Sequence, residues 1–211
     1  MAKNTFSLIF LKTSSIPFRL FSYFFEYFKI DNIDKDLEKS LEIIDKYSSV
    51  KIDKKFIDVL ILAEDRRNIL HCGVDTIAIF RAIKVRVFKK VYQGASTIEQ
   101  QFVRVVSNRY EKSFYRKFRE QLLAIAVCKK RDKEEIAKAY LMIAYYGYNL
   151  EGLFALKKVC NENIEVVSFE NTVELVSRLK YPQPKNINDI WLIKHANRNN
   201  YILKFLSKDN F

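Results

Sequence analysis

Three short clusters in this chain carry side chains whose types and spacing could do chemistry. Glu64 and Asp65 stand directly behind the apolar positions Phe56, Val59, Leu60, Leu62 and Ala63, and His71-Cys72-Gly73 follows shortly after. A carboxylate at the end of a buried helix is partly desolvated, the circumstance in which a general base can work near neutral pH. Without further support the same pair reads as a solvated helix end. Gly94-Ala95-Ser96-Thr97-Ile98-Glu99-Gln100-Gln101 supplies a turn, hydroxyls and two amides at a helix start. The helix dipole there favours anionic oxygens, so Ser96, Thr97, Gln100 and Gln101 could hold sugar or phosphate groups. The plain alternative is an ordinary capped helix with Ser96 or Thr97 as N-cap. In Arg116-Lys117-x-x-Glu120 a carboxylate lies one helical turn from two cations, so the three share a face. That is either a charged site or a helix brace of about 0.2–0.5 kcal/mol.

The elements that must position these groups read as helices. The chain has 211 residues, enough for one sizeable core and a short appendage. Four glycines and three prolines are too few for the tight turns of an all-β protein. Apolar positions Ile33, Leu37, Leu41, Ile44 and Tyr47 recur three or four apart and predict an amphipathic connector helix over 31–48. Further helices are expected over 75–90, 113–130, 132–146, 168–180 and 189–207, with Tyr181-Pro182-Gln183-Pro184 ending the one over 168–180. In the first of these, Arg81, Lys84, Arg86, Lys89 and Lys90 leave Ile79, Phe80, Ile83, Val87 and Phe88 for contacts. The fold class is all-α. Residues 1–50 read as an aromatic segment plus connector, and 51–211 as the functional domain.

A formal net charge of +12 favours an anionic partner, whether nucleic acid, acidic membrane or phosphorylated substrate. Cys72, Cys128 and Cys160 have no CxxC spacing and are odd in number, so neither a disulfide framework nor a zinc site follows. Residues 6–30 are rich in phenylalanine, but Lys12, Arg19, Glu26 and Lys29 interrupt the run and Pro17 breaks it. A spanning helix needs roughly 20 mostly apolar residues, and no such window exists. Nor does a clean apolar region end in a small-residue cleavage site. The segment 18–28 therefore predicts a short aromatic helix that either lies in a membrane interface or packs on the protein's own core.

In this order and at these spacings, the three clusters resemble the peptidoglycan glycosyltransferase family (glycosyltransferase family 51, monofunctional transglycosylase type). Lys133-Glu134-Glu135-Ile136, Tyr140-Leu141, Tyr145-Tyr146-Gly147, Glu151-Gly152 and Leu179-Lys180-Tyr181-Pro182 extend the likeness, which covers about residues 56–205. It implies a lysozyme-like helical fold with a small membrane-associating lobe around 76–110. It also implies polymerisation of lipid-linked disaccharide-peptide (lipid II) into glycan strands, with release of lipid pyrophosphate. Glu64 matches the family's base, with Asp65 beside it, and His71 would orient its loop. Glu120 matches the second essential carboxylate, which would place the donor, with a divalent cation (magnesium or manganese) as the one cofactor allowed. Arg104, Lys112, Arg116 and Lys117 would offset the leaving group's charge. With no chain left for a transpeptidase, the expected type is monofunctional. The implied partners are lipid II, the growing glycan chain, an anionic membrane surface and a cell-wall synthase, with nucleic acid excluded. The implied location is the outer face of the bacterial cytoplasmic membrane, peripheral or interfacial, since no clear anchor or signal peptide is seen.

Departures from the family pattern include Asn68 for a common Phe, Glu99 for Thr, Val105 for Asn and Met142 for Asn. They motivate a rival reading, a catalytically weak or inactive relative that binds lipid-linked precursor or a synthase. Helical spacing sets Glu99 about 100° from Gln100, and the expectation is that Glu99 faces solvent. A basic nucleic-acid-binding protein explains the charge but not the motif order. A glycan-cleaving enzyme of lysozyme type would share the paired carboxylates but not the Gln-Gln and Arg-Lys-x-x-Glu clusters.

Overall fold

The computed structural model describes residues 9–207. A helical stretch over 9–14 leads into α1 (Ile16–Tyr27), with Pro17 in its first turn, where the missing N–H costs nothing. There follow α2 (Ile33–Tyr47), α3 (Lys55–Glu64), α4 (Thr76–Lys89), α5 (Ile98–Ser107), α6 (Phe114–Cys128), α7 (Lys133–Ile143), α8 (Gly152–Val159), α9 (Phe169–Lys180) and α10 (Asp189–Leu206). The helix starts are fixed by side chains of the expected kind. Asp75, Thr97, Ser113, Ser168 and Asn188 each accept a backbone N–H from the first turn of α4, α5, α6, α9 and α10. The chain is all-α as expected, with one two-stranded hairpin among the described residues.

That hairpin corrects the reading of 132–146 as one helix. α7 stops at Ile143, and β1 (Tyr145–Gly147) pairs antiparallel with β2 (Leu150–Glu151). Asn149 takes the left-handed turn conformation at φ 55°, which asparagine tolerates better than most residues. Tyr146 is fully buried and its hydroxyl donates to Leu141 O at 2.9 Å.

The chain divides into two compact units. The first comprises the chain up to Asp45 together with Arg67–Ile136; the second comprises Lys46–Arg66 and the chain from Ala137. In the first, α6 is the central element: Leu122 to Val127 are buried without a break, so the helix is apolar on all sides there. Both α1 and α5 pack on it. Arg119 of α6 is also buried, and its guanidinium pairs with Asp31 and Asp36 at 2.7 Å each. In the second unit α3 packs against α9 and α10, burying Phe56, Val59 and Leu60 against a layer that includes Val173 and Val176.

α1 packs on the protein's own core, the second of the two alternatives set for the aromatic segment. Ser22 is buried with its hydroxyl on Leu122 O at 2.9 Å, and Phe18, Phe21 and Phe25 ring Phe118. The opposite face leaves Leu20, Tyr23, Phe24, Tyr27 and Phe28 about half or more exposed. The helix is thus part of the core and carries an uncovered aromatic surface as well. No helix among the described residues is long and apolar enough to cross a membrane.

Candidate active site

Glu64 is the last residue of α3. Asp65 leaves the helical region (φ −153°, ψ 67°) and is buried, so the chain turns at this pair. The Glu64 side chain is not isolated among apolar groups. Arg198, on α10 of the same unit, donates to Glu64 Oε1 at 2.8 Å and to Ala63 O at 2.8 Å, tying the carboxylate to the end of its own helix. This partner escaped sequence reading, because Arg198 lies in no motif of the three clusters and only the packing of α10 on α3 brings it there.

His71, Cys72 and Gly73 belong to the other unit, on a loop that runs from a short 3-10 turn (Asn68–Leu70) to α4. Gly73 sits at φ 81°, and a Cβ there would lie 2.7 Å from the Ala124 carbonyl, so glycine is required where the loop backbone touches α6. His71 is buried beside it. Arg67 and Asp75 close the loop with an ion pair at 2.7 Å, while Asp75 also caps α4.

Thr97 and Gln100 hold this loop from α5. The Thr97 hydroxyl donates to Gly73 O at 2.8 Å and Gln100 Nε2 donates to the same oxygen at 3.1 Å. Both side chains are buried, so their donors fix the loop where sequence reading expected them to meet sugar or phosphate oxygens. Thr97 is the N-cap of α5, accepting from Gln100 N. Ser96 and Gln101 are half-buried.

The strongest convergence is at Glu120. Arg104 grips its carboxylate with two parallel bonds of 2.9 Å, the geometry in which a guanidinium binds most strongly. Lys117 Nζ meets Glu120 Oε1 at 2.6 Å, and Arg116 pairs with Oε2 from one turn away. Lys117 also donates to Ser96 Oγ and Gln100 Oε1, each at 2.9 Å. Three of the expected residues thus hold one carboxylate, and two more, Ser96 and Gln100, bond to Lys117 beside it. Lys112 does not join them: it is exposed on the connection before α6.

Burial pushes the Glu120 carboxyl up, but the hydrogen bond from Arg104 and the charges of Lys117 and Arg104 outweigh it and hold the group below the usual carboxylate range. Burial likewise makes the Lys117 ammonium easier to deprotonate; Glu120 opposes this, and the charges of Arg104 and Arg116 reinforce it. Three cations against one carboxylate leave an excess of positive charge in a half-buried setting. That suits an incoming anion. It does not suit the divalent cation expected to act through Glu120, because both carboxylate oxygens are engaged and the neighbours are positive.

Glu99 corrects the expectation of a solvent-facing side chain. It is 1% exposed, and its Oε1 pairs with Lys133 Nζ at 2.6 Å and accepts from Asn68 Nδ2 at 3.0 Å. Spacing from Gln100 placed it on another face of α5, but that face is covered too. Lys133 carried no sign of this role in the sequence. Met142 is buried in the core of its own unit, and Val105 is half-buried on α5.

The chain matches the Transglycosylase family over residues 34–207 and belongs to it. Penicillin-binding protein 1A of Haemophilus influenzae is 30% identical to it over 169 residues, 76% of this chain and 20% of the relative. The monofunctional glycosyltransferase of Staphylococcus saprophyticus is 34% identical over 140 residues, 62% of this chain and 51% of the relative. Penicillin-binding protein 1A of Escherichia coli is 38% identical over 110 residues, 52% of this chain and 13% of the relative. The chain therefore spans between 13% and 51% of the length of these relatives.

Proposed function

We propose that this chain is a peptidoglycan glycosyltransferase that polymerises lipid-linked disaccharide-peptide into glycan strands and releases lipid pyrophosphate. The observation that carries the reading is the cationic cluster at Glu120, in a chain of the transglycosylase family. Displacing a pyrophosphate from a sugar's anomeric carbon builds negative charge on the leaving oxygens. Arg104, Arg116 and Lys117 are prearranged by Glu120 to meet that charge. Stabilising developing charge with groups already in place often lowers an enzymatic barrier more than any other single effect. Ser96 supplies a hydroxyl at the edge of the same cluster.

In this reading Glu64 accepts the proton of the acceptor sugar's hydroxyl as that oxygen attacks. Arg198 keeps its carboxylate oriented. Asp65 stabilises the turn behind it, and His71 with Gly73 shapes the loop that follows in the chain. Gln101 and Lys112, both reachable by solvent, would contact the longer parts of the substrate. The reading needs no metal at Glu120, whose neighbours already supply positive charge. The exposed aromatic face of α1, and Phe80, Ile83, Val87 and Phe88 on α4 among basic residues, would hold the protein at an anionic membrane surface. For a lipid-linked substrate of this kind that is the outer face of the cytoplasmic membrane, where a cell-wall synthase would be a neighbour.

The test is direct. Purified protein incubated with lipid II in detergent or vesicles should yield polymer resolved by electrophoresis, and Glu64→Gln should yield none. Absence of polymer from protein whose helical circular dichroism is intact would refute the assignment. The weak-relative alternative gains no support from Asn68 and Glu99, since the two departures bond to each other.

A further inference from the structure

Cys72 and Cys128 lie far apart in sequence and meet in the first unit. Gly73 carries the loop to α6: its backbone rests on Ala124 and Ile125, about one turn before Cys128, the last residue of that helix. Thr97 and Gln100 pin the loop there through Gly73 O. Both thiols are free, and neither residue is fully buried. The third cysteine, Cys160, is buried in the other unit.

We infer that Cys72 and Cys128 form a dithiol site that takes a disulfide-bearing oxidant and closes to an intramolecular disulfide. The site is independent of the glycosyltransferase reading. Cys72 is the attacking group. A hydrogen bond from the Cys128 thiol is the main influence holding its own thiol down at about 6, against the opposing effect of burial. Lys133 on α7 and Arg19 on α1 add to the lowering, and Glu99 on α5 opposes it. The same hydrogen bond, with burial, pushes the Cys128 thiol up, so it remains a protonated donor. A thiolate beside cationic groups is the reactive form of cysteine.

The exchange has two steps. The Cys72 thiolate attacks one sulfur of the oxidant's disulfide, giving a mixed disulfide and expelling one oxidant thiolate. That thiolate takes the Cys128 proton, and the Cys128 thiolate then attacks Cys72 Sγ, forming the internal bond and expelling the second oxidant thiolate, which takes from water the proton that Cys72 had released. Two protein thiols are oxidised and one oxidant disulfide is reduced to two thiols. Closure requires a Cα separation of about 4.4–6.8 Å between the two cysteines.

The experiment uses the full chain with oxidised glutathione, followed by acid quenching, intact mass and non-reducing peptide mapping. The expected product has lost two hydrogens and yields one linked peptide containing Cys72 and Cys128, with Cys160 still alkylatable after denaturation. Cys160→Ser should react identically, and Cys128→Ser should instead accumulate a glutathione adduct on Cys72. A wild-type protein that stops at the Cys72 adduct, links either residue to Cys160, or shows no reaction overturns the proposal. Because the wild-type map decides by itself, a misfolded variant cannot rescue the idea.

Discussion

Asn68 Nδ2 donates to Glu99 Oε1 at 3.0 Å, and Lys133 Nζ reaches the same oxygen at 2.6 Å. Both Asn68 and Glu99 depart from the pattern this chain otherwise resembles, and the departures answer one another. A buried carboxylate is tolerable only when paired and hydrogen-bonded, and here Asn68 and Lys133 supply the partners. Their removal should therefore be coupled. Asn68→Ala and Glu99→Gln, alone and together, are expected to show an interaction energy of about 0.5–3 kcal/mol in urea unfolding. Additive effects would mean the bond contributes nothing. Glu99→Thr should destabilise by about 1–3 kcal/mol by stranding its donors, with no gain in substrate affinity.

Glu64 and Arg198 are expected to behave differently. Glu64→Gln keeps the size and hydrogen-bonding capacity of the side chain but removes the proton acceptor, so polymerisation should fall by at least about 10²-fold with the unfolding midpoint nearly unchanged. Arg198→Ala removes a partner of Glu64 and the donor to Ala63 O, so activity and stability should fall together, the latter by about 1–3 kcal/mol. Arg198→Lys should recover part of both, since a point charge replaces a fork. An Arg198→Ala protein with full activity would show that the ion pair does not position the base.

The helices were legible because their signals are local: apolar spacing, capping side chains and the prolines at 182 and 184. The cluster at Glu120 was legible for a related reason, since Arg116, Lys117 and Glu120 share one helical face and Arg104 follows Ser96 and Gln100 on the preceding element. What escaped depends on packing between distant segments. Nothing near Arg198 or Lys133 in sequence says which carboxylate it will meet, and the pairings Glu64–Arg198 and Glu99–Lys133 exist only once the helices pack. Period alone also could not tell a covered second face of α5 from a solvated one. The hairpin was missed because its strands are shorter than any alternation pattern can reveal.

The cluster at Glu120 makes a prediction about pH. The folded-state carboxyl is held below the ordinary glutamate range, so its contribution to stability is complete above that range and is lost as pH falls through the lowered folded value. Wild-type stability in urea should therefore drop as pH is lowered from about 5 to about 3. Glu120→Gln should be less stable than wild type at neutral pH, with a shallower acid decline, so the two curves approach each other at low pH. Parallel curves would mean that Glu120 does not contribute. At the alkaline end, binding of inorganic pyrophosphate, used as a probe, should weaken as pH rises through the lowered Lys117 value, and Lys117→Ala should remove that limb.

The aromatic helix α1 yields the last prediction, and its packing sets how the test must be made. Deleting residues 1–30 would strip Phe18, Phe21 and Phe25 from Phe118 and leave Leu122 O without the Ser22 hydroxyl, so the truncated protein should lose stability and could not report on membranes alone. The exposed side is the better target. Tyr23, Phe24 and Tyr27 are each about half or more exposed, and replacing them with serine leaves the buried face intact. Fully burying a large apolar side chain is worth about 1.5–3 kcal/mol. Even partial insertion of three rings should thus strengthen binding to anionic vesicles by more than about tenfold. The triple variant should keep its stability within about 0.5 kcal/mol of wild type, as surface substitutions usually do, and lose that vesicle affinity. Added salt should weaken what binding remains, because the basic residues of α4 then act alone. Unchanged vesicle affinity in the triple variant would mean that the aromatic surface of α1 does not face lipid.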